Sequence, residues 1–184
     1  MRRPAHLMRL ARDGWEHRDW YSQANPMLVK AAHYLNTHRH RLIDVLPINS
    51  PRCAVSRSVR VTVQYFETGV LPKEVIRTTH AALAHYEHTG KIRGPKTGAF
   101  ARALKGDDEA IVLDTWMADA LAVDQYIFST KWGRSISERR IRYCAHVMGV
   151  TPRQFQAACW SGQIMRGKGN TVPSIHRAFE EILS

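Results

Sequence analysis

Cysteine is scarce in this 184-residue chain: Cys53, Cys144 and Cys159 are odd in number, far apart and without a CxxC pair. That spacing argues against a disulfide framework, a zinc site or a cysteine-ligated cluster, and it fits a reducing cytoplasm. Ten histidines are present, densest at His38-Arg39-His40, but none has a cysteine or carboxylate partner at ligand spacing, so no metal is expected. Carboxylates are also in short supply, 16 Asp and Glu against 27 Lys and Arg. Long uncharged apolar runs are missing, as is a basic amphipathic helix standing apart, so no membrane association is expected. The start, MRRPAHLMRLARDGW, has arginines but no apolar h-region, which argues against a secretory signal and leaves an amphipathic transit peptide as the alternative. Internal repeats, low-complexity tracts and obvious linkers are absent too.

What is present is a net charge of +11, a pI of about 10.1 and 44% hydrophobic residues. That much apolar material can bury one substantial core, or two small lobes sharing a cleft. An excess of cations on this scale implies a polyanionic partner, nucleic acid before any other. A cytoplasmic location follows, in the nucleoid or in a host cell.

Helical signals run through the chain. Residues 1–14 are basic and expected to be loosely ordered. Trp15 to Tyr21 suggests a short helix with large docking rings. Asn25-Pro26 reads as an N-cap with proline at the first helical position. Leu42 to Leu46 forms another segment, which Pro47 is expected to end. Residues 54–68 fit a strand and a helix equally, since Val59, Val61 and Val63 alternate while Val55, Val59, Thr62, Val63 and Phe66 share one helical face. Gly69 looks like a helix C-cap. Pro72 opens a helix running to His88, closed by Gly90. A later helix starts at Ser137 or Glu138 and stops at Gly149. Thr151-Pro152-Arg153-Gln154 is a capping box whose helix runs to about Trp160. Residues 161–171 read as a cationic glycine-rich loop, and Pro173 to Leu183 as a last helix. Eight or nine helices and no committed strand make an all-α fold over residues 1–184.

Gly90 to Asp119 concentrates the chemistry. GKIRGPKTGAF places two glycines and a proline before a helical run, the arrangement that turns tightly and presents backbone N–H groups at a helix start. Lys96 and Thr97 fall on its first turn. Lys105-Gly106-Asp107-Asp108 reads as a turn, Ile111-Val112-Leu113 as a buried run, and Asp114 as the cap of the next helix. Asp114 follows Lys96 by eighteen residues, a separation that one antiparallel helix return closes.

The paired segments Gly94-Pro95-Lys96-Thr97 and Leu113-Asp114-Thr115-Trp116 resemble those of the helix-hairpin-helix DNA glycosylases, the endonuclease III-like superfamily. About thirty residues carry the likeness. Ile92 stands where a hairpin glycine is common, Trp116 where a histidine is, and Asp119 where an arginine is. The chain also lacks the four cysteines that hold an iron–sulfur cluster in some relatives, so the nearest match is a divergent, phage-type member without the cluster. The resemblance implies a helix over 54–68, a compact helix-hairpin-helix domain and duplex DNA as partner; a monomer without a cofactor is expected. It implies that Lys96 attacks the sugar carbon bearing the base, and that Asp114 stabilises the cationic sugar and assists proton transfer. Lys91, Arg93, Gly94 and Thr97 would hold phosphate at the hairpin. Ser50 and Arg52, in Asn49 to Cys53, would fill the gap left by an extruded base. Trp116 would stack on a flipped base or sugar, or else pack in the core.

The implied reaction is base excision with strand cleavage by β-elimination. Two rivals stay open: a transferase that modifies pyrimidines on the same fold, and a DNA-binding module without catalysis.

Overall fold

The computed structural model describes residues 1–169 and 171–184, and every regular element in them is helical. In chain order these are α1 (Pro4–Asp13), α2 (Trp20–Gln23), α3 (Asn25–Tyr34), α4 (Arg39–Ile48), α5 (Val55–Thr68), α6 (Arg77–Thr89), α7 (Pro95–Lys105), α8 (Thr115–Leu121), α9 (Lys131–Val147), α10 (Pro152–Lys168) and α11 (Ile175–Leu183). Turns of 3-10 helix lie at Trp15–His17 and Gln125–Ser129. The chain divides into two compact units, each built from separate stretches: Met1–Tyr21 with Gly106–Val172, and Ser22–Lys105 with Pro173–Ser184.

In the first unit α10 is the centre, packed by α1, α8 and α9. Leu7 and Leu10 of α1, Met117 and Leu121 of α8, Ile141 and Cys144 of α9, and Phe155 and Cys159 of α10 form one buried cluster. Pro4 opens α1 at a position where proline's missing N–H costs no helical bond. The N-terminus is therefore an ordered core helix and not the loose tail expected; its arginines occupy one face and its leucines the other. Burial raises the Cys144 thiol to about 11 and pushes Cys159 higher still, so both pack as small apolar groups.

The expected loop 161–171 is likewise helix as far as Lys168, and Asn170 lies outside the described residues. Gly162 and Gly167 within it sit at close packing contacts. A Cβ on Gly162 would lie 2.0 Å from the carbonyl oxygen of Leu10, and one on Gly14 would lie 2.3 Å from that of Ala158. The backbones of α1 and α10 touch where only glycine fits. Likewise α9 begins at Lys131, capped by Thr130, six residues before the expected start. The Thr151–Gln154 capping box is present as read.

In the second unit α4 is the centre, packed by α3, α5, α6 and α7, while α11 covers α3 and α5. Val45, Ile48, Val61, Leu71, Leu83 and Tyr86 are buried together. Residues 55–68 are the helix of the two readings, closed by Gly69 in left-handed backbone at φ 73. Four boundaries differ from expectation. Pro47 lies inside the last turn of α4, which continues to Ile48. Ala24 caps α3, and the Asn25 side chain instead accepts from Arg39 at 2.5 Å. Pro72 opens a turn and not α6, which starts at Arg77. Likewise α11 starts at Ile175, with Ser174 as its cap.

Candidate functional site

The sequence-derived residues fall at two loci, one in each unit. In the second unit α6 ends at Thr89, and five residues, Gly90 to Gly94, connect it to α7. Gly90 at φ 67 and Gly94 at φ 91 take the left-handed backbone that reverses the chain. Gly90 N–H donates to the Tyr86 carbonyl at 2.7 Å, and Lys91 N–H to Thr89 Oγ1 at 3.2 Å. Ile92 packs against the Val45–Leu83 cluster, so the residue standing at a common glycine position anchors the connection from below. Lys91 and Arg93 are exposed, Lys96 is half-buried and Thr97 is buried. Burial, then the charges of Arg93, His88 and Lys91, hold the His85 ring below its usual pKa.

Ser50 and Arg52 belong to the same unit. Ser50 is buried and donates to the Pro47 carbonyl at 2.8 Å, so its hydroxyl ends α4 and does not project. Arg52 is exposed, with backbone at φ 55, a left-handed conformation unusual for a residue that carries a Cβ. Burial raises the Cys53 thiol, opposed by the charges of Arg57 and Lys96, so the 50–53 turn and the amine of Lys96 share one electrostatic neighbourhood. An open groove of about 440 Å³ runs beside α7, lined by Gly94, Pro95, Gly98, Arg102, Lys105 and Asp44 among others. There Lys105 pairs with Asp44 at 2.5 Å, and Tyr86 donates to the same carboxylate at 3.1 Å.

In the first unit the buried run Ile111-Val112-Leu113 delivers Asp114 to the start of α8. Its Oδ1 accepts the Met117 N–H at 2.9 Å, the cap that the sequence suggests. Its Oδ2 accepts the indole N–H of Trp160 at 2.9 Å. Trp160 meets Trp20 edge-on with centroids 5.4 Å apart, and Trp20 meets Tyr21 at 5.0 Å. Tyr21 donates to Gln156 Oε1 at 2.7 Å. Burial, and next the charge of Asp114, push the Tyr21 phenol well above its ordinary range. The carboxylate is thus partly buried, oriented at both oxygens and walled by rings. Trp116 is half-buried against α10, where a Cβ on Gly167 would come within 2.9 Å of its ring.

Trp160, Tyr21 and Gln156 were not legible as parts of this site. Trp160 reads as a core ring because its partner lies 46 residues away; only its polar N–H, which a buried indole must satisfy, hints at a role. No group of three or more His, Cys, Asp or Glu residues among those described is placed to hold a metal, and none of their helices is long and apolar enough to cross a membrane.

No curated protein and no solved structure matches this chain. Residues 11–168 match a family model described as "Family of unknown function (DUF7178)". That span takes in both loci, and the chain belongs to this family.

Proposed function

We propose that this protein is a DNA glycosylase with lyase activity, acting on a damaged or modified base flipped out of duplex DNA. The observation that carries the reading is the setting of Asp114: a carboxylate held at both oxygens by N–H donors, partly buried at a helix start. A group that must stabilise a developing sugar cation works best when already oriented and sheltered from water. The α6–α7 connection supports the same reading. Its left-handed glycines, exposed Lys91 and Arg93 and the helix start at Pro95 suit a DNA phosphate.

In this chemistry the Lys96 amine, after losing a proton, attacks the anomeric carbon of the sugar. The glycosidic bond breaks and its electron pair leaves with the base. Ring opening gives an imine between Lys96 and the sugar, and β-elimination then expels the 3′ phosphate. Asp114 offsets the positive charge on the sugar and assists the proton transfers. Arg52 occupies the gap that the flipped nucleotide leaves.

Borohydride trapping on duplexes carrying different damaged or modified bases tests this. The expected result is a covalent complex that is lost in Lys96→Ala and strongly reduced in Asp114→Asn. Binding without a trapped complex or an abasic product on any duplex would reject it. Recovery of a modified base with its glycosidic bond intact would shift the assignment to group transfer.

A further inference from the structure

The most exposed rings of the first unit come from one short stretch. Tyr126, Trp132 and Tyr143 are 76%, 69% and 56% exposed, the first on the 3-10 turn before α9 and the others on α9 itself. At about 100° per residue, Trp132, Ile136, Arg139, Tyr143 and Val147 form one stripe along α9. It spans roughly 22 Å at the helical rise. The opposite face, Ser137, Ile141, Cys144 and Ala145, is buried in the core. Single exposed apolar residues are ordinary, but a row of them along one helix marks a contact surface.

Charge narrows the occupant. Five cations and one carboxylate, Glu138, lie on α9. Three of the cations turn to the protein itself: Arg134 to the Phe128 and Ser129 carbonyls, Arg140 to the Arg2 carbonyl and Arg142 to Glu109. Lys131 and Arg139 are exposed and pair with no carboxylate among the described residues. A second copy of the chain would set these like charges against each other. A closed duplex offers phosphates but keeps its bases stacked away from the rings. Unpaired nucleotides offer both phosphates and open base faces.

We infer that this face of α9 binds single-stranded DNA, with Trp132 and Tyr143 stacking on bases and Lys131 and Arg139 holding the flanking phosphates. The choice of DNA over RNA rests on the proposed glycosylase activity; the stacking surface does not.

Anisotropy of labelled oligo(dT), oligo(U) and a duplex of equal length tests the inference on the full chain. Binding of oligo(dT) should weaken on the order of tenfold for each ring removed in Trp132→Ala and Tyr143→Ala. Trp132→Phe and Tyr143→Phe, which keep a ring, should stay close to wild type. In Lys131→Ala/Arg139→Ala the slope of log affinity against log salt should fall by about 1.4. Equal affinity of wild type and Trp132→Ala/Tyr143→Ala would overturn the proposal. So would a clear preference for oligo(U), or a wild-type dimer in sedimentation that the same two substitutions dissociate. Absence of borohydride trapping in wild type would reject the catalytic reading and leave this surface standing.

Discussion

Trp160 donates its indole N–H to Asp114 Oδ2 at 2.9 Å, while Met117 N–H holds Oδ1 of the same carboxylate at the same distance. A residue midway along α10 thereby sets the direction of the residue that opens α8. Hydrogen bonds to an ionised carboxylate contribute about 1.5–3 kcal/mol each, more than a neutral pair.

Trp160→Phe retains a ring beside Trp20 but removes the N–H donor together with the pyrrole half of the indole. Stability in urea should fall by about 2 kcal/mol, since a partly buried carboxylate loses one of its donors. If the proposed chemistry is right, the trapping rate should drop by about tenfold, equivalent to roughly 1.4 kcal/mol of lost transition-state stabilisation. Duplex affinity should change less than twofold. An unchanged trapping rate would mean that the indole has only a packing role.

Glycine substitutions separate two causes. Gly162→Ala drives a methyl into the Leu10 carbonyl of α1 and should cost about 3 kcal/mol or more, because two helix backbones must move apart. Gly149→Ala meets nothing within 4 Å, and its φ of 68 leaves only the left-handed strain, about 1 kcal/mol. Urea unfolding of both variants reads the difference. Equal losses would show that α1 and α10 are not locked at this contact.

These glycines also explain what the sequence could not convey. A glycine-rich string carries the same letters whether it forms a loop or lets helices touch, and only the facing Leu10 carbonyl decides for Gly162. Local signals fared better: the Thr151–Gln154 capping box and the Asp114 cap need partners just three residues away, and both are formed. For residues 54–68 the pattern, Gly69 included, is even between strand and helix, and only the helical neighbours and the family resemblance favour the helix that is formed over Val55–Thr68. The cationic Pro4–Asp13 hid a core helix because arginines on one face masked Leu7 and Leu10 on the other. Of the site, the cap and the two-glycine turn were legible, whereas Trp160 and Tyr21 were not. Their partners come from elements remote in sequence.

Alkaline pH should loosen the second unit through Tyr86. Burial, then the charge of Asp44, raise its phenol from 10.0 to about 12. Below pH 10 the phenol is protonated in both folded and unfolded chains, and its stabilising contribution is complete. Between pH 10 and about 12 the unfolded chain ionises while the folded one resists, so the contribution declines as pH rises. Tyr86→Phe should therefore flatten the fall in thermal midpoint across that window and remove the latest-rising part of the phenolate absorbance of this unit. An identical pH profile in the variant would show that Asp44 does not act on this phenol.

Arg52 tests the proposed wedge, because its backbone and its side chain make separate predictions. Its φ of 55 costs about 1 kcal/mol in any L-residue with a Cβ. Arg52→Gly relieves that strain but gains freedom in the unfolded chain, so stability should stay level or rise by up to about 1 kcal/mol. Arg52→Ala keeps the strain and should match wild type. Both lose the guanidinium, and for a wedge both should lose trapping rate alike on a well-paired target base. The loss should be smaller where the target is mismatched and easier to extrude. A mere phosphate contact behaves differently: the salt slope of duplex binding falls by about 0.9, with equal effect on paired and mismatched targets. The ratio of the two trapping rates, wild type against Arg52→Ala, therefore distinguishes an arginine that replaces a stacked base from one that only holds the backbone.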